Sequence, residues 1–160
     1  MMRIGQGFDA HPFQEGRPLF LGGIWVKDFS RGLAGDSDGD VLIHAIIDAL
    51  LGALALGDIG TWFRADDPSV KGARSTDLLG RVIRMVDERR YRVVQVDVTV
   101  VGEKPRVRPL VPEMRDALAP ILKVPPEDVS IKATTTDRMG WLGREEGLAT
   151  LAVVQLEFVD

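Results

Sequence analysis

The stretch Val41–Leu56 is apolar except for His44 and Asp48, and that run constrains the fold more than any other part of the chain. With Val41, Leu42, Ile43, Ile46, Ile47, Leu50 and Leu51 on its other faces, a helix here has to be buried. It is too short to span a bilayer comfortably and carries ionisable groups in its middle, so a core helix is expected and not a membrane span. A buried imidazole needs a partner, so His44 has to meet polar groups from elsewhere. Asp48, one turn further on the same face, either orients that imidazole as an acceptor or is a capped or paired core carboxylate.

Alternating and β-branched runs predict strands at Arg3–Phe8, Leu19–Val26, Arg92–Val101, Val129–Ala133 and Leu148–Phe158. Helical length and period mark Asp40–Leu56, Ser75–Arg90 and Pro112–Leu122. The Ser75 helix is amphipathic and suits the cover of a sheet. Loops rich in Gly, Pro and Asp fall at Gly32–Gly39, Gly57–Pro68, Gly102–Pro112 and Thr134–Gly147, and polar chemistry can sit there.

A length of 160 residues is one domain by the usual prior, residues 1–160. Twenty Lys and Arg against 24 Asp and Glu leave a net charge of −4. Nucleic acid and an anionic membrane are therefore poor partners, although a local basic patch can hold one phosphate group. The chain has no cysteine, which excludes disulfides, thiolate zinc sites and a catalytic thiol, so any metal must be held by oxygen and imidazole. The opening MMRIGQGFDAHPF has no apolar run of signal-peptide length, and the cytoplasm is the expected location.

Asp9 and His11, at i and i+2, share one face of an extended segment. The only other histidine is His44. An Asp/His/His set would offer Zn²⁺ three ligands and leave a position open, the catalytic pattern rather than the structural one. The bland alternative is a turn aspartate, a solvent histidine and a satisfied core histidine. Gly5-Gln6-Gly7-Phe8-Asp9-Ala10 matches the dinucleotide pattern G-x-G-x-x-A, but His11-Pro12 and Glu15-Gly16-Arg17-Pro18 forbid the helix that the pattern needs. Asp36-Ser37-Asp38-Gly39-Asp40 looks like the head of a calcium loop, yet Val41 and Ile47 stand where Gly and Glu are required. Asp38 or Asp40 is expected to cap the helix that follows. Gly57-Asp58-Ile59-Gly60 supplies that helix with a glycine stop and a carboxylate just after it. The hydroxyls of Thr134, Thr135 and Thr136 suit phosphate oxygens, and the neighbouring Asp137 suits a hard cation; a plain threonine turn is the alternative. Gly140, Gly143 and Gly147 surround Trp141 and Arg144, which either hold an anion or make a tight loop.

Taken together, Arg3 through His11, Ser37-Asp38-Gly39-Asp40-Val41 through His44-Ala45, Asp48 through Ala53, Leu56 through Gly60 and Lys132 through Thr136 closely resemble the 2-C-methyl-D-erythritol 2,4-cyclodiphosphate synthases. The resemblance covers nearly the whole chain. It implies an α/β (α+β) subunit with a mixed β-sheet and helices packed on it, assembled as a homotrimer with active sites between subunits. It also implies the reaction: the 2-phosphate of 4-diphosphocytidyl-2-C-methyl-D-erythritol 2-phosphate attacks the β-phosphorus of the same molecule, closing the cyclic diphosphate and releasing CMP.

Carried over residue by residue, the resemblance makes Asp9, His11 and His44 the Zn²⁺ ligands. A second cation, Mg²⁺ or Mn²⁺, would lie near Asp137, and Thr135 would support the transition state. Gly102, Pro105, Arg106 and Val107, with Thr134, Thr135, Thr136 and Asp137, would form the cytidine pocket of a neighbouring subunit. Asp36 and Ser37 would sit at the 2-phosphate, and Asp58, Ile59, Gly60, Phe63, Asp66 and Asp67 at the methylerythritol unit. Trp141 and Arg144 would make the last contacts, Arg144 also facing a cavity on the trimer axis that holds an isoprenoid diphosphate in some members. Three stretches depart from the family pattern. His-Ser-Asp appears as Asp36-Ser37-Asp38, Phe-Pro-Asp-Thr-Asp as Phe63-Arg64-Ala65-Asp66-Asp67, and Asp137 replaces a common glutamate. The aspartate at 36 cannot donate to a phosphate as an imidazolium can, which leaves a non-catalytic sensor of CMP or of the lipid as the competing reading. A zinc hydrolase would need a base beside the metal, and the strings around the ligands offer no spare Glu or His.

Overall fold

The computed structural model describes residues 1–160. The chain runs through strands β1 (Met2–Glu15), β2 (Phe20–Leu21), β3 (Ile24–Trp25) and β4 (Arg31–Leu33), then helices α1 (Val41–Ala53), α2 (Ile59–Trp62) and α3 (Ser75–Glu88). It continues with β5 (Tyr91–Val101), α4 (Val111–Leu122), β6 (Val129–Thr134), α5 (Gly140–Gly143) and β7 (Gly147–Phe158). One sheet has the order β4-β1-β7-β5-β6, and β2 and β3 form a separate hairpin. Only β5 and β6 pair in parallel, so the sheet is mixed. Helix α4 makes the β5–β6 crossover, which a parallel pair requires.

The register sorts the sheet into two unlike faces. Gly5 and Gly7 of β1, Ala152 and Val154 of β7, Val96 and Val98 of β5 and Val129 of β6 lie on the helix side and are buried. Their alternate neighbours Ile4, Phe8, Leu151 and Val153 point the other way and are exposed. Helix α1 lies against β1 so closely that a Cβ on Gly5 would stand 1.8 Å from the carbonyl oxygen of Ala49. No side chain fits between the two backbones.

Several elements differ from the sequence expectation. The first strand runs on past Phe8 to Glu15, because beyond Pro12 it changes partner from β7 to β4; Pro12, which has no N–H to give, falls where the ladders change. Leu19–Val26 is not one strand but a hairpin, turned by Gly22 and Gly23 at φ 63° and 81°, the conformation that a two-residue hairpin turn demands. Helix α1 stops at Ala53 and not at Leu56, since Ala55 turns left-handed at φ 57°. The glycine stop at Gly57 therefore shapes the following loop instead of ending the helix. The one-turn helices α2 and α5 lie inside segments expected to be loops.

Asp40 is the N-cap of α1, as expected of Asp38 or Asp40. It accepts from the backbone N–H of Ile43 at 3.1 Å and, across the chain, from Gly22 at 3.0 Å and Gly23 at 2.8 Å. Burial, with the charge of Asp38 added, pushes its carboxyl above the usual range. This one residue ties the hairpin to the start of the buried helix.

Candidate metal centre and nucleotide cavity

On β1, Asp9 and His11 project toward the helix layer, and His44 comes down from α1 to meet them. Asp9 Oδ2 lies 2.8 Å from His11 Nε2 and 3.2 Å from His44 Nδ1, and the two facing imidazole nitrogens are 3.2 Å apart. The three ligand atoms lie within 4.8 Å of one another, a group that can hold a metal ion.

The outward nitrogens are both engaged. His11 Nδ1 meets the carbonyl oxygen of Ala34, which can only accept, so that nitrogen carries the proton. His44 Nε2 is 2.8 Å from Ser75 Oγ and 3.1 Å from Ser37 Oγ. With outward N–H groups committed in this way, the inward nitrogen of each ring can give a lone pair to an ion or, with no ion bound and the ring charged, an N–H to Asp9. Two lone pairs and a carboxylate oxygen converging on one point suit a divalent cation held by nitrogen and oxygen. Burial taken alone would raise the Asp9 carboxyl, but the hydrogen bonds and charges of His11 and His44 outweigh it and hold Asp9 at about 2. Burial likewise works to lower His11, and Asp9 overcomes it, raising the imidazole above its usual 6.5.

The triad opens into a cavity of about 210 Å³ that Asp36, Ser37, Ile59, Gly60 and Phe63 also line. Of the residues expected at the sugar, Asp58 instead caps α2, accepting from Thr61 N and Oγ1 at 2.9 Å each. Asp66 pairs with Arg64 at 2.9 Å, and Asp67 accepts from Ser69 N at 2.8 Å. None of these three carboxylates lines the cavity. Asp48 does not orient His44; it accepts from Ile59 N at 2.7 Å and so anchors the loop that carries Ile59 and Gly60.

A second cavity, of about 270 Å³, is lined by Gly102, Glu103, Pro105, Arg106, Val107, Thr134 and Thr135 among others. It shares no lining residue with the metal-side cavity. Beyond it the chain turns at Asp137 and Arg138, left-handed at φ 55° and 64°. That conformation is disfavoured for residues with a Cβ. Thr135 Oγ1 accepts from Asp137 N at 3.2 Å and Glu103 from Arg138 N at 3.1 Å, while Thr136 Oγ1 donates to Met139 O at 2.7 Å. Trp141 is exposed, and Arg144 Nε donates to Glu146 at 2.7 Å; neither lines the two cavities. Sequence reasoning missed Glu103 and Ser75. Glu103 lay inside a loop already marked for chemistry, whereas Ser75 looked like an ordinary helix start.

This fold and site define a class: an α/β chain with an imidazole–carboxylate group on β1 and α1 that can hold a metal ion, and a separate cavity at the crossover strands. The chain belongs to the YgbB family, whose model matches residues 2–157. It is 53% identical over 152 residues to a 2-C-methyl-D-erythritol 2,4-cyclodiphosphate synthase of Symbiobacterium thermophilum, covering 95% of this chain and 96% of that one. To the enzyme of the same name from Geobacter metallireducens it is 50% identical over 156 residues, covering 98% and 99%. Among solved structures it superposes with a TM-score of 0.95 on the bifunctional IspDF of Campylobacter jejuni, at 38% identity, covering all of this chain and 43% of that one. A 2C-methyl-D-erythritol-2,4-cyclodiphosphate synthase in its CDP-bound form gives 0.88 at 33% identity, covering 97% of this chain and 100% of that one. The resemblance stated from the motifs thus holds over nearly the full length.

Proposed function

We propose that the chain converts 4-diphosphocytidyl-2-C-methyl-D-erythritol 2-phosphate to 2-C-methyl-D-erythritol 2,4-cyclodiphosphate and CMP, in isoprenoid precursor synthesis. The observation that carries this reading is the convergence of Asp9, His11 and His44 beside a cavity of about 210 Å³, in a chain matched over 95% of its length by a synthase of that name. An oxygen of the 2-phosphate forms a bond to the β-phosphorus while the bond from that phosphorus to the bridging oxygen breaks, and the electron pair leaves on CMP. The attacking phosphate is already an anion, so no general base is needed. Alignment and charge neutralisation make up most of the catalysis.

In this reading Asp9, His11 and His44 hold Zn²⁺, which when bound supplies Lewis-acid charge to a diphosphate oxygen. Ser37 and the backbone of Ile59 and Gly60 bind at the 2-phosphate and methylerythritol end. Gly102, Pro105, Arg106, Val107 and Thr134 take the cytidine, Thr135 faces the transferring phosphate, and Asp137 serves a second cation, Mg²⁺ or Mn²⁺. The two cavities have to meet across a boundary between copies, and the homotrimer supplies that boundary. Its support is the sheet face away from the helices, where Ile4 is 73%, Phe8 56% and Val153 44% exposed; an apolar patch of this kind marks an interaction surface.

Phosphorus NMR of the purified protein with the substrate, Mg²⁺ and Zn²⁺ tests the reaction. CMP and the cyclic diphosphate are expected to appear in step. Folded, zinc-loaded protein that binds CMP and leaves the substrate spectrum unchanged would instead make it a nucleotide-binding relative without turnover.

A further inference from the structure

The side of His44 away from the metal centre is built as carefully as the side facing it. The geometry points to Ser75, with Asp38 behind it, as the positioning residue that sets the His44 tautomer and so aims Nδ1 at the ion; this rests on the metal-site reading above.

Ser75 opens α3, is fully buried and does not cap its helix, whose N-cap residue is Arg74. Its hydroxyl oxygen lies 2.8 Å from His44 Nε2 and also makes a short contact with Asp38 Oδ1. The direction of the chain follows from the other neighbours of Asp38. That carboxylate is surrounded by groups that can only donate: Ser75 N at 3.0 Å, Asp40 N at 3.1 Å and Arg74 Nε at 3.3 Å. It therefore accepts the hydroxyl proton of Ser75, and a hydroxyl has only one. Ser75 Oγ is left to act as acceptor toward His44 Nε2 at 2.8 Å; the Asp9 carboxylate, the competing acceptor, is further off at 3.2 Å from Nδ1, so the nearer acceptor draws the single proton of the neutral ring to Nε2 and frees the Nδ1 lone pair for an ion.

Ser37 cannot fix the ring in the same way. It stands further off, at 3.1 Å, and its own contact is to Gly39 N, which donates to it at 3.3 Å. Its hydroxyl proton is therefore free to turn toward Nε2, and the tautomer this would favour carries its proton on Nδ1 and has no lone pair for a metal. Against Ser37 on the same side and Asp9 on the other, the Asp38–Ser75 arm is the contact that favours the proton on Nε2. Backbone hydrogen bonds from Gly72 N to Asp36 O at 2.7 Å and from Asp38 N to Ala73 O at 3.0 Å hold the two loops in this register.

The test has two independent readouts. Nitrogen-15 NMR of the chelator-stripped wild type at alkaline pH is expected to show His44 protonated on Nε2, with Nδ1 bare. Ser75→Ala is expected to give a mixture of tautomers and to weaken Zn²⁺, titrated in competition with a chromophoric chelator, by about 10- to 100-fold, the usual consequence of losing such a partner. Ser75→Thr keeps a hydroxyl on the same carbon and is expected to restore both. A wild-type His44 protonated on Nδ1 overturns the proposal, as does a Ser75→Ala protein with wild-type tautomer and affinity. Should Ser75→Ala fail to fold, the wild-type tautomer and the Ser75→Thr variant still decide. A wild type that takes up no Zn²⁺ removes the metal-site reading, while its tautomer continues to judge the relay.

Discussion

A Cβ placed on Gly7 would stand 1.9 Å from the carbonyl oxygen of Ala45. That contact sets how close α1 comes to β1, one residue from His44 on the helix and two from Asp9 on the strand. Gly7→Ala forces the helix outward. We expect it to destabilise the chain by about 3 kcal/mol or more and to weaken Zn²⁺ binding in whatever fraction folds. Urea unfolding and metal titration of the same preparation measure both losses, and a stable Gly7→Ala with native affinity would show that the helix can shift without harm.

His44→Ala removes one of the three proposed ligands and leaves Asp9 and His11, which do not make a catalytic site by themselves. Metal retention through gel filtration and product formation are expected to disappear together. Full zinc content at full rate would dismiss His44 as a ligand.

Asp36 lines the same cavity as Asp9 and His11 and is exposed there. An anion at that point repels a phosphate. Asp36→Asn is expected to lower KM for the 2-phosphate substrate by roughly fivefold, the order of one exposed charge interaction, and the gain should shrink as salt is raised. A KM that rises instead would mean that the carboxylate takes part in binding, for example through a cation.

The Asp9–His11 contact gives the metal-free chain a pH signature. Asp9 is held at about 2 against an ordinary 3.8, so its stabilising share is present above the ordinary value and is lost as pH falls toward 2. His11 is raised above 6.5, so its share is present below that value and is lost as pH rises through the raised one. Both shifts describe one contact and count once, at about 1–2 kcal/mol for a partly buried pair. The difference in melting temperature between wild type and Asp9→Asn, both stripped of metal, should peak between pH values of about 4 and 6. A difference that is flat across pH would contradict the assigned shifts.

Phe8 and Ile4 stand on the sheet face away from the helices, in a row with Leu151 on β7 and beside Val153. A charge there costs the isolated subunit little, because the face is open, but it cannot be buried between copies without a partner. Phe8→Glu is therefore expected to yield folded monomers by light scattering and to abolish turnover if the cytidine cavity comes from a neighbour. A Phe8→Glu trimer with normal activity would move the subunit boundary elsewhere.

Much of this was legible before the fold was known, because it depends on spacing within single elements. The apolar run around His44 could only be a buried helix, Asp9 and His11 at i and i+2 share one face of any extended segment, and the absence of cysteine left only oxygen and imidazole to hold a metal. What depends on where one element lands against another was not legible. Asp48 shares a helix face with His44, but the backbone of Ile59 reaches it first, and the imidazole is instead held by Ser75, a residue that sequence pattern could only read as the start of a surface helix. The strand beginning at Arg3 ran on to Glu15 because β4 was there to pair with it, and Leu19–Val26 folded back at its two glycines. Periodicity reports which side of an element is buried. The donors and acceptors that meet across that buried side are chosen by the packing of α1 on β1 and of the α3 start on the Asp36–Asp40 loop, and that packing is a property of the assembled chain.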